Sequence, residues 1–196
     1  MFTGIIMAVG TVRETRPAPG GVYLVLDVGA LDLDDVAPGH SIAVDGICLT
    51  VVNVVPPRLE FDLSRATLDC TTGFMPGARV NLEKSLRLAD RLGGHLLGGH
   101  VDGVGRITHF ETVGVNRLLT VVSPSELMKY IARKGSVAIN GVSLTVNTVR
   151  DSEFEINLIP HTLLATNLSA LAPGARVNLE VDMFARYAER LLVFKN

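Results

Sequence analysis

The chain is written twice. Sliding its 196 residues by 95 positions sets Gly4 on Gly99, Val9 and Gly10 on Val104 and Gly105, and Ser41 on Ser136. "GHSIAVDGICLTV" at 39–51 returns as "KGSVAINGVSLTV" at 134–146, and Leu63, Thr67, Leu68 and Thr71 meet Leu158, Thr162, Leu163 and Thr166. After a two-residue insertion the register becomes 97, and "PGARVNLE" recurs verbatim at 76–83 and 173–180. The period is about double the 20–50 residues of solenoid repeats, so each copy is a domain. Units of roughly 100 residues can each bury a working core. The predicted domains are 1–95 and 96–182, and 183–196 lies outside both copies.

Within each copy the apolar runs are short, β-branched and punctuated by Gly, Pro and Asn. Asp45-Gly46 and Asn140-Gly141 supply the positive φ angles of tight type I′ hairpins. Further strands are expected near 22–28, 58–63, 78–83, 117–122, 153–158 and 175–180. Many short antiparallel strands per copy favour closure into a barrel, which removes exposed sheet edges. "SPSELMKYIARKG" predicts a helix: Ser123 as N-cap, Pro124 at the first helical position, Glu126 completing a capping box, Gly135 past the end. "DMFARYAERLLVF" predicts another, with Phe184, Tyr187, Ala188 and Leu191 on one apolar stripe. That stripe must pack on its own barrel or against copies of itself in an oligomer.

With 18 Lys+Arg against 20 Asp+Glu, and a net charge of −2, the chain has no basic surplus for a nucleic-acid backbone. Cys48 and Cys70 are too few for a disulfide framework and favour a reducing compartment. No secretory signal opens the sequence and no apolar run approaches ~20 residues, so a cytoplasmic protein without membrane contact is expected. A mean hydropathy of +0.35 leaves room for subunit contacts. No phosphate-binding loop, zinc-spaced Cys/His cluster or nucleophile elbow is present. "GVGRITHFETVG" lacks the dinucleotide spacing.

The opening "MFTGII", the duplicated "G[IV][CS]LTV", "GGHVDG" at 98–103 and "LIPHTL" at 158–163 together resemble the riboflavin synthase family of the alpha-chain type, across essentially the whole chain. The resemblance implies an all-β fold of two similar six-stranded antiparallel Greek-key barrels plus a C-terminal α-helix. It implies dismutation of two molecules of 6,7-dimethyl-8-ribityllumazine, a four-carbon unit passing from one to the other, with no metal and no organic cofactor. It implies a homotrimer in which the first barrel of one subunit faces the second barrel of its neighbour, with residues 183–196 as the trimerisation helix. Association with lumazine synthase is a further partner it suggests. The rival within the same fold is a lumazine- or flavin-binding antenna protein that uses one barrel only. Both copies here keep polar signatures, which favours the enzyme.

Candidate residues follow from the matched motifs. His100 sits in a Gly-rich turn, and an imidazole gives and takes protons near neutrality; a turn histidine held by a backbone bond is the alternative. The repeat sets Ile5 opposite His100, so one copy alone carries this imidazole. His95 is left structural. Cys48 can act as nucleophile on an electrophilic ring carbon, as a small buried residue, or as a polarising group. Ser143 at the equivalent place fits the last of these. Alternation puts Thr50 beside Cys48 and Thr145 beside Ser143. Lys134 either complements a helix C-terminus or, as the resemblance implies, stabilises negative charge on the pyrimidine ring. His100, Cys48, Ser143 and Lys134 are thus the catalytic candidates. His100, Lys134, Ser143 and Thr145 are expected in one pocket, with Cys48 and Thr50 of a neighbour in the other. The resemblance implies substrate contacts from Phe2, Gly4, Ile5, Ile6, Ser41, Leu49, Asp62, Leu63, Ser64, Arg65, Ala66, Thr67, Gly99 and Val101. From the second copy it implies Leu144, Asn157, Leu158, Ile159, Pro160, His161 and Thr162. Ala66 stands where the family pattern has an acidic residue, which removes a carboxylate contact.

Overall fold

The computed structural model describes residues 1–194; Lys195 and Asn196, the last two positions of the predicted terminal helix segment, lie outside the described residues. The first repeat comprises β1 (Ala8–Ala18), β2 (Gly21–Asp27), β3 (Ser41–Val44), β4 (Ile47–Val55), β5 (Arg58–Ser64), a short helix α1 (Arg65–Asp69) and β6 (Arg79–Lys84). The second comprises β7 (Gly103–Val113), β8 (Asn116–Val122), α2 (Ser125–Met128), β9 (Ser136–Ile139), β10 (Val142–Arg150), β11 (Glu153–Leu158), α3 (Pro160–Ala165) and β12 (Arg176–Val181). A 3₁₀ turn, Asn167–Ala170, follows α3, and α4 (Met183–Val193) ends the chain.

Each repeat closes into an antiparallel barrel, in the order β1-β2-β5-β4-β3-β6 and its counterpart β7-β8-β11-β10-β9-β12. The run β3-β4-β5 with β2 laid beside β5 is a Greek key. Asp45 and Asn140 hold φ of 46° and 45°, and the glycines after them 79° and 77°, as two-residue type I′ turns require. Bulges recur at equivalent places, between Val12 and Glu14 and between Ile107 and His109, and again at Val51/Asn53 and Val146/Thr148. They add the local bend that closes a small barrel. Inside lie separate cores, one around Leu24, Leu59 and Phe61, the other around Leu119, Phe154 and Ile156, all essentially buried. Each such side chain contributes roughly 1.5–3 kcal/mol by leaving water.

Three local expectations fail, for physical reasons. Strands β1 and β7 were not among those picked from sequence, because their outer halves, "RETRPA" and "HFETV", are largely exposed and show no clean alternation. The helix expected over 123–135 is confined to Ser125–Met128, with Pro124 rather than Ser123 at its N-cap and no side-chain cap bond. The backbone tightens there into i→i+3 bonds, Tyr130 N to Leu127 O and Ile131 N to Met128 O, which bury Leu127 and Ile131 together. Lys134 is therefore not a helix-terminal cation. It sits in a loop with φ 67°, its N–H donating to Val146 O. Helix α4 forms as expected, with Asp182 capping the Phe184 N–H.

The barrels meet about a pseudo-two-fold axis, hairpin tip to hairpin tip. A Cβ on Gly46 would lie 2.7 Å from Gly141 N, and the converse distance is the same, so only glycine fits. Around the tips a polar network reads alike from both sides. Asp45 Oδ1 accepts from Asn81 N at 2.7 Å, and Asn140 Oδ1 from Asn178 N at 2.8 Å. Asn81 Nδ2 donates to Asn140 O, and Asn178 Nδ2 to Asp45 O. Asn167 adds a donor to Asp45 Oδ1 at 2.9 Å. Burial nevertheless pushes the Asp45 carboxyl from 3.8 up to about 7, with these donors pulling the other way. An acid whose folded pKa is raised contributes stability that is full below its unfolded pKa and lost as pH rises through the folded one. Asp45→Asn, which places in the first hairpin what the second already has, should stabilise the fold. The gain should be roughly 2 to 3 kcal/mol larger at pH 8 than at pH 5. Urea unfolding at the two pH values measures it; an equal gain at both would show that the carboxyl carries no buried charge.

Candidate active site

Two chain segments, 1–7 before β1 and 95–102 before β7, run between the barrels as paired arms. Glu83 on β6 holds the first: its Oε1 accepts from Thr3 N and Thr3 Oγ1, both at 2.7 Å, and its Oε2 from Gly4 N at 2.9 Å. Glu180 on β12 holds the second, accepting from Gly98 N at 2.7 Å and Gly99 N at 3.1 Å. Burial pushes both carboxyls upward while these donors oppose it. Each arm then touches the opposite barrel. Ser143 N donates to Gly4 O at 2.9 Å, and Cys48 N to Gly99 O at 2.8 Å. Gly4 and Gly99 both have φ 75°, and a Cβ on either would come within 2.6 Å of the Cβ of Ser143 or Cys48. Ile6 packs on the second core and Val101 on the first. Each barrel is thus in contact with the arm of the other repeat.

In the first pocket Cys48 is half-buried and Thr50 exposed, with Ala43 and Ser41 their cross-strand partners. Asp62 and Ser64 are exposed on β5, and Ser64 caps α1 through Thr67 N at 3.2 Å, its Oγ 3.0 Å from Thr67 Oγ1. Arg65 turns away to Asp69 at 3.0 Å, and Ala66 is exposed without a polar tip. In the second pocket Ser143 and Thr162 are half-buried, while Thr145, Asn157, Ile159, Pro160 and His161 are exposed. Several predicted contacts need correcting. Leu49, Leu63, Leu144 and Leu158 point into the cores, so they can offer a ligand only backbone. Phe2 is 1% exposed, packed in the seam with Ala43, Leu97 and Ala138, and paired as a bridge with Leu97. Cys48 packs against this cluster.

Within one chain the arm of His100 lies against Cys48, through Cys48 N and Gly99 O. The imidazole beside Ser143 is that of His95, whose Nδ1 lies 2.7 Å from Ser143 Oγ. Among the described residues, His95 Nε2 is a buried side-chain nitrogen without a partner, and burial pushes the ring's pKa down, keeping it neutral; Asp182 opposes this weakly. A neutral imidazole against a hydroxyl is an acid/base pair. The sequence did carry a signal, since "GGHLLGGH" at 93–100 writes Gly-Gly-His twice. Gly94 is needed because a Cβ there would meet Thr3 O at 2.1 Å and Ser143 Oγ at 2.9 Å. Lys134 and its counterpart Gly39 share the left-handed region, at φ 67° and 90°. Glycine adopts it freely, whereas lysine is strained there by about 1 kcal/mol or more. Strain of this kind persists where a side chain serves a site.

A cleft of about 1000 Å³ lies beside the first barrel, bounded by the first arm, the loop 30–42 and the segment 83–93. Ser41 and Ile5, both expected as ligand contacts, line it beside Gly39, and Lys84, Arg87 and Asp35 form its charged wall. A smaller one of about 460 Å³ borders Asp62, Leu63 and Ser64. Among the described residues no group of three His, Cys, Asp or Glu side chains is placed to hold a metal ion.

A family model described as the lumazine binding domain matches the chain twice, over residues 3–85 and 98–182. The riboflavin synthase of Photobacterium leiognathi is 42% identical over 194 residues, covering 98% of this chain and 89% of that one. That of Brucella abortus is 41% identical over 203 residues, with both chains covered in full. Among solved structures, LumP complexed with riboflavin superposes with a TM-score of 0.85 at 27% identity, covering 92% of this chain and 99% of that one. LumP complexed with 6,7-dimethyl-8-(1'-D-ribityl) lumazine gives 0.83 at 26%, with the same coverage. With the domain matched in both repeats and relatives of this identity along its whole length, the chain belongs to the riboflavin synthase family, transferases built on a duplicated lumazine-binding domain.

Proposed function

We propose that the chain converts two molecules of 6,7-dimethyl-8-ribityllumazine into riboflavin and 5-amino-6-(D-ribitylamino)uracil by transfer of a four-carbon unit. The observation that carries this reading is the reciprocal contact of each barrel with the other repeat's arm, alike in backbone at Gly4/Ser143 and Gly99/Cys48 and unlike in the side chains beside it. Similar pockets suit identical substrates; unlike groups suit a donor and an acceptor. The lumazine C7 methyl is acidic because its carbanion delocalises through the ring, so the site needs a base and an anion stabiliser. In the second pocket, Ser143 with His95 and the ammonium of Lys134 supply them. In the first, Cys48, Thr50 and His100 bind and polarise the other molecule, with Ser41, Asp62, Ser64 and Thr67 toward ring edges and ribityl hydroxyls. Asn157, His161 and Thr162 serve the same purpose in the second. Holding two heterocycles stacked can supply ~7–11 kcal/mol, more than a single acid/base group.

The same reading places the site between subunits of a homotrimer. It is supported by α4, whose Phe184, Tyr187 and Leu191 are 66%, 67% and 69% exposed and do not pack on their own barrel. A cytoplasmic setting accords with both cysteines being free and with the lack, among the described residues, of a helix long and apolar enough to cross a membrane. Association with lumazine synthase is a partner consistent with a shared metabolite. The test is direct: purified chain is mixed with the lumazine and no cofactor, and riboflavin fluorescence is followed. Tight binding without riboflavin would replace the enzyme by a binding protein, a reading that relatives at about 40% identity do not favour.

Ser143→Ala and His95→Gln should each slow turnover roughly 10²-fold, and the double variant little further, because the two act as one unit. Additive losses in steady-state kinetics would separate them. Lys134→Gly should raise stability by up to about 1 kcal/mol, by relieving the left-handed strain, while lowering kcat at least about tenfold by removing the cation. Urea unfolding and turnover on one preparation measure both; unchanged kcat would return Lys134 to the surface. Truncation after Asp182 should leave folded barrels that sediment below the trimer. A truncated chain that still sediments as a trimer would rule α4 out as the seam.

A further inference from the structure

One side chain joins α4 to the arm that carries His100. Arg186 forms an ion pair through Nη2 with Asp102 Oδ1, and the same nitrogen donates to the His100 carbonyl oxygen at 3.5 Å. The anchor is firm, because the Asp102 side chain is 9% exposed at the pair. Its Oδ2 accepts from Val181 N at 2.8 Å, and its own N–H donates to Leu179 O at 2.8 Å. Helix α4 has a second anchor one turn further on, where Glu189 receives Lys129 Nζ and Tyr130 Oη. That second anchor reaches the barrel beside α2 and touches nothing in the arm.

The first repeat shows what the arrangement is without this tie. Met7 stands where the second repeat has Asp102, and its Sδ takes Lys84 N at 3.3 Å, the counterpart of the Val181 bond. A thioether is a weak acceptor and pairs with no cation, and no helix follows β6. The arm carrying Ile5 is therefore held by Glu83, by backbone and by the weak Met7 contact, and among the described residues by no ion pair. The arm ending in His100 is held by Glu180, by backbone and by an ion pair to α4. Of the two arms, the one with the imidazole carries the extra tie. Glu180 and Cys48 fix the backbone at Gly98 and Gly99, and Arg186 adds the next hold, at the His100 carbonyl.

We infer that Arg186 is a positioning residue through which α4 sets the imidazole of His100, so that the contacts covering the apolar face of α4 bear on proton transfer in the Cys48 pocket. Arg186 belongs to the same rigid helix as Phe184 and Tyr187, so contacts on that apolar face that set the placement of α4 also set the guanidinium. This inference rests on the proposed role of His100 in turnover.

The test uses the full chain with Arg186→Met, which keeps the apolar stem, Arg186→Lys, which keeps a cation, and Glu189→Gln, which loosens the other anchor. Riboflavin formation is followed across pH, and each preparation is sedimented. Arg186→Met should lower kcat by about tenfold to a hundredfold with lumazine KM within about threefold, since a misplaced group costs rate more than binding. It should also lose the limb of the pH–rate profile that His100→Gln removes, at wild-type sedimentation. Arg186→Lys should recover part of kcat, and Glu189→Gln should stay within about twofold of wild type. A wild-type rate and profile in Arg186→Met beside an active parent would overturn this inference alone. Equal losses in Arg186→Met and Glu189→Gln, or a loss seen only in dissociated protein, would also overturn it by reducing Arg186 to helix docking. An inactive parent would sink both this inference and the proposed reaction.

Discussion

Two backbone hydrogen bonds, from Ser143 N to Gly4 O and from Cys48 N to Gly99 O, hold each barrel to the arm of the other. Most of the site follows from them. They require glycine at 4 and 99, since no Cβ can enter the gap. They bring the residues after those glycines, Ile5 and His100, to the seam between the barrels. They also require acceptors for the N–H groups left on the arms, which Glu83 and Glu180 provide from inside the seam. A buried carboxylate is costly unless fully bonded, and each of these is met by at least two backbone donors. The arms and glutamates therefore form one unit per pocket, and removing either glutamate would strand donors between the barrels.

Local chemistry made the barrels legible in advance. Asp-Gly and Asn-Gly mark the hairpins, and a verbatim "PGARVNLE" marks the closing strands. Strands β1 and β7 escaped because barrel bulges and exposed ends erase their alternation. The capping-box motif at Ser123 misled because burial of Leu127 and Ile131 overrode a favourable local pattern. What the arms do was not readable at all. Nothing within positions 1–7 or 95–102 says that they exchange barrels, since the partners that hold them lie far off in sequence, from 48 residues for His95–Ser143 to 82 for Gly98–Glu180, and further still for Gly4–Ser143. His95 was passed over for the same reason. Its meaning lies in a 2.7 Å contact with Ser143, a residue of the other flank of the second barrel.

The two imidazoles differ in how they are insulated. His95 is sealed in, with a neutral ring against a hydroxyl, while His100 stands at the surface with only its backbone tied down. A sealed pair keeps its protonation state against changes outside, whereas an exposed imidazole exchanges protons with whatever arrives.

The near-symmetry of the seam carries a consequence for ancestry. On a true two-fold axis every residue confronts its own image, so an Asp at position 45 would bury a second acid beside it. Here Asp45 faces Asn140, and the axis carries a single carboxyl. Joining the copies in one polypeptide lifts the rule that both sides must be alike. Cys48 against Ser143, Gly39 against Lys134, and Ile5 against His100 are differences a symmetric pair of identical chains could not have encoded. Fusion gave this protein permission to be lopsided.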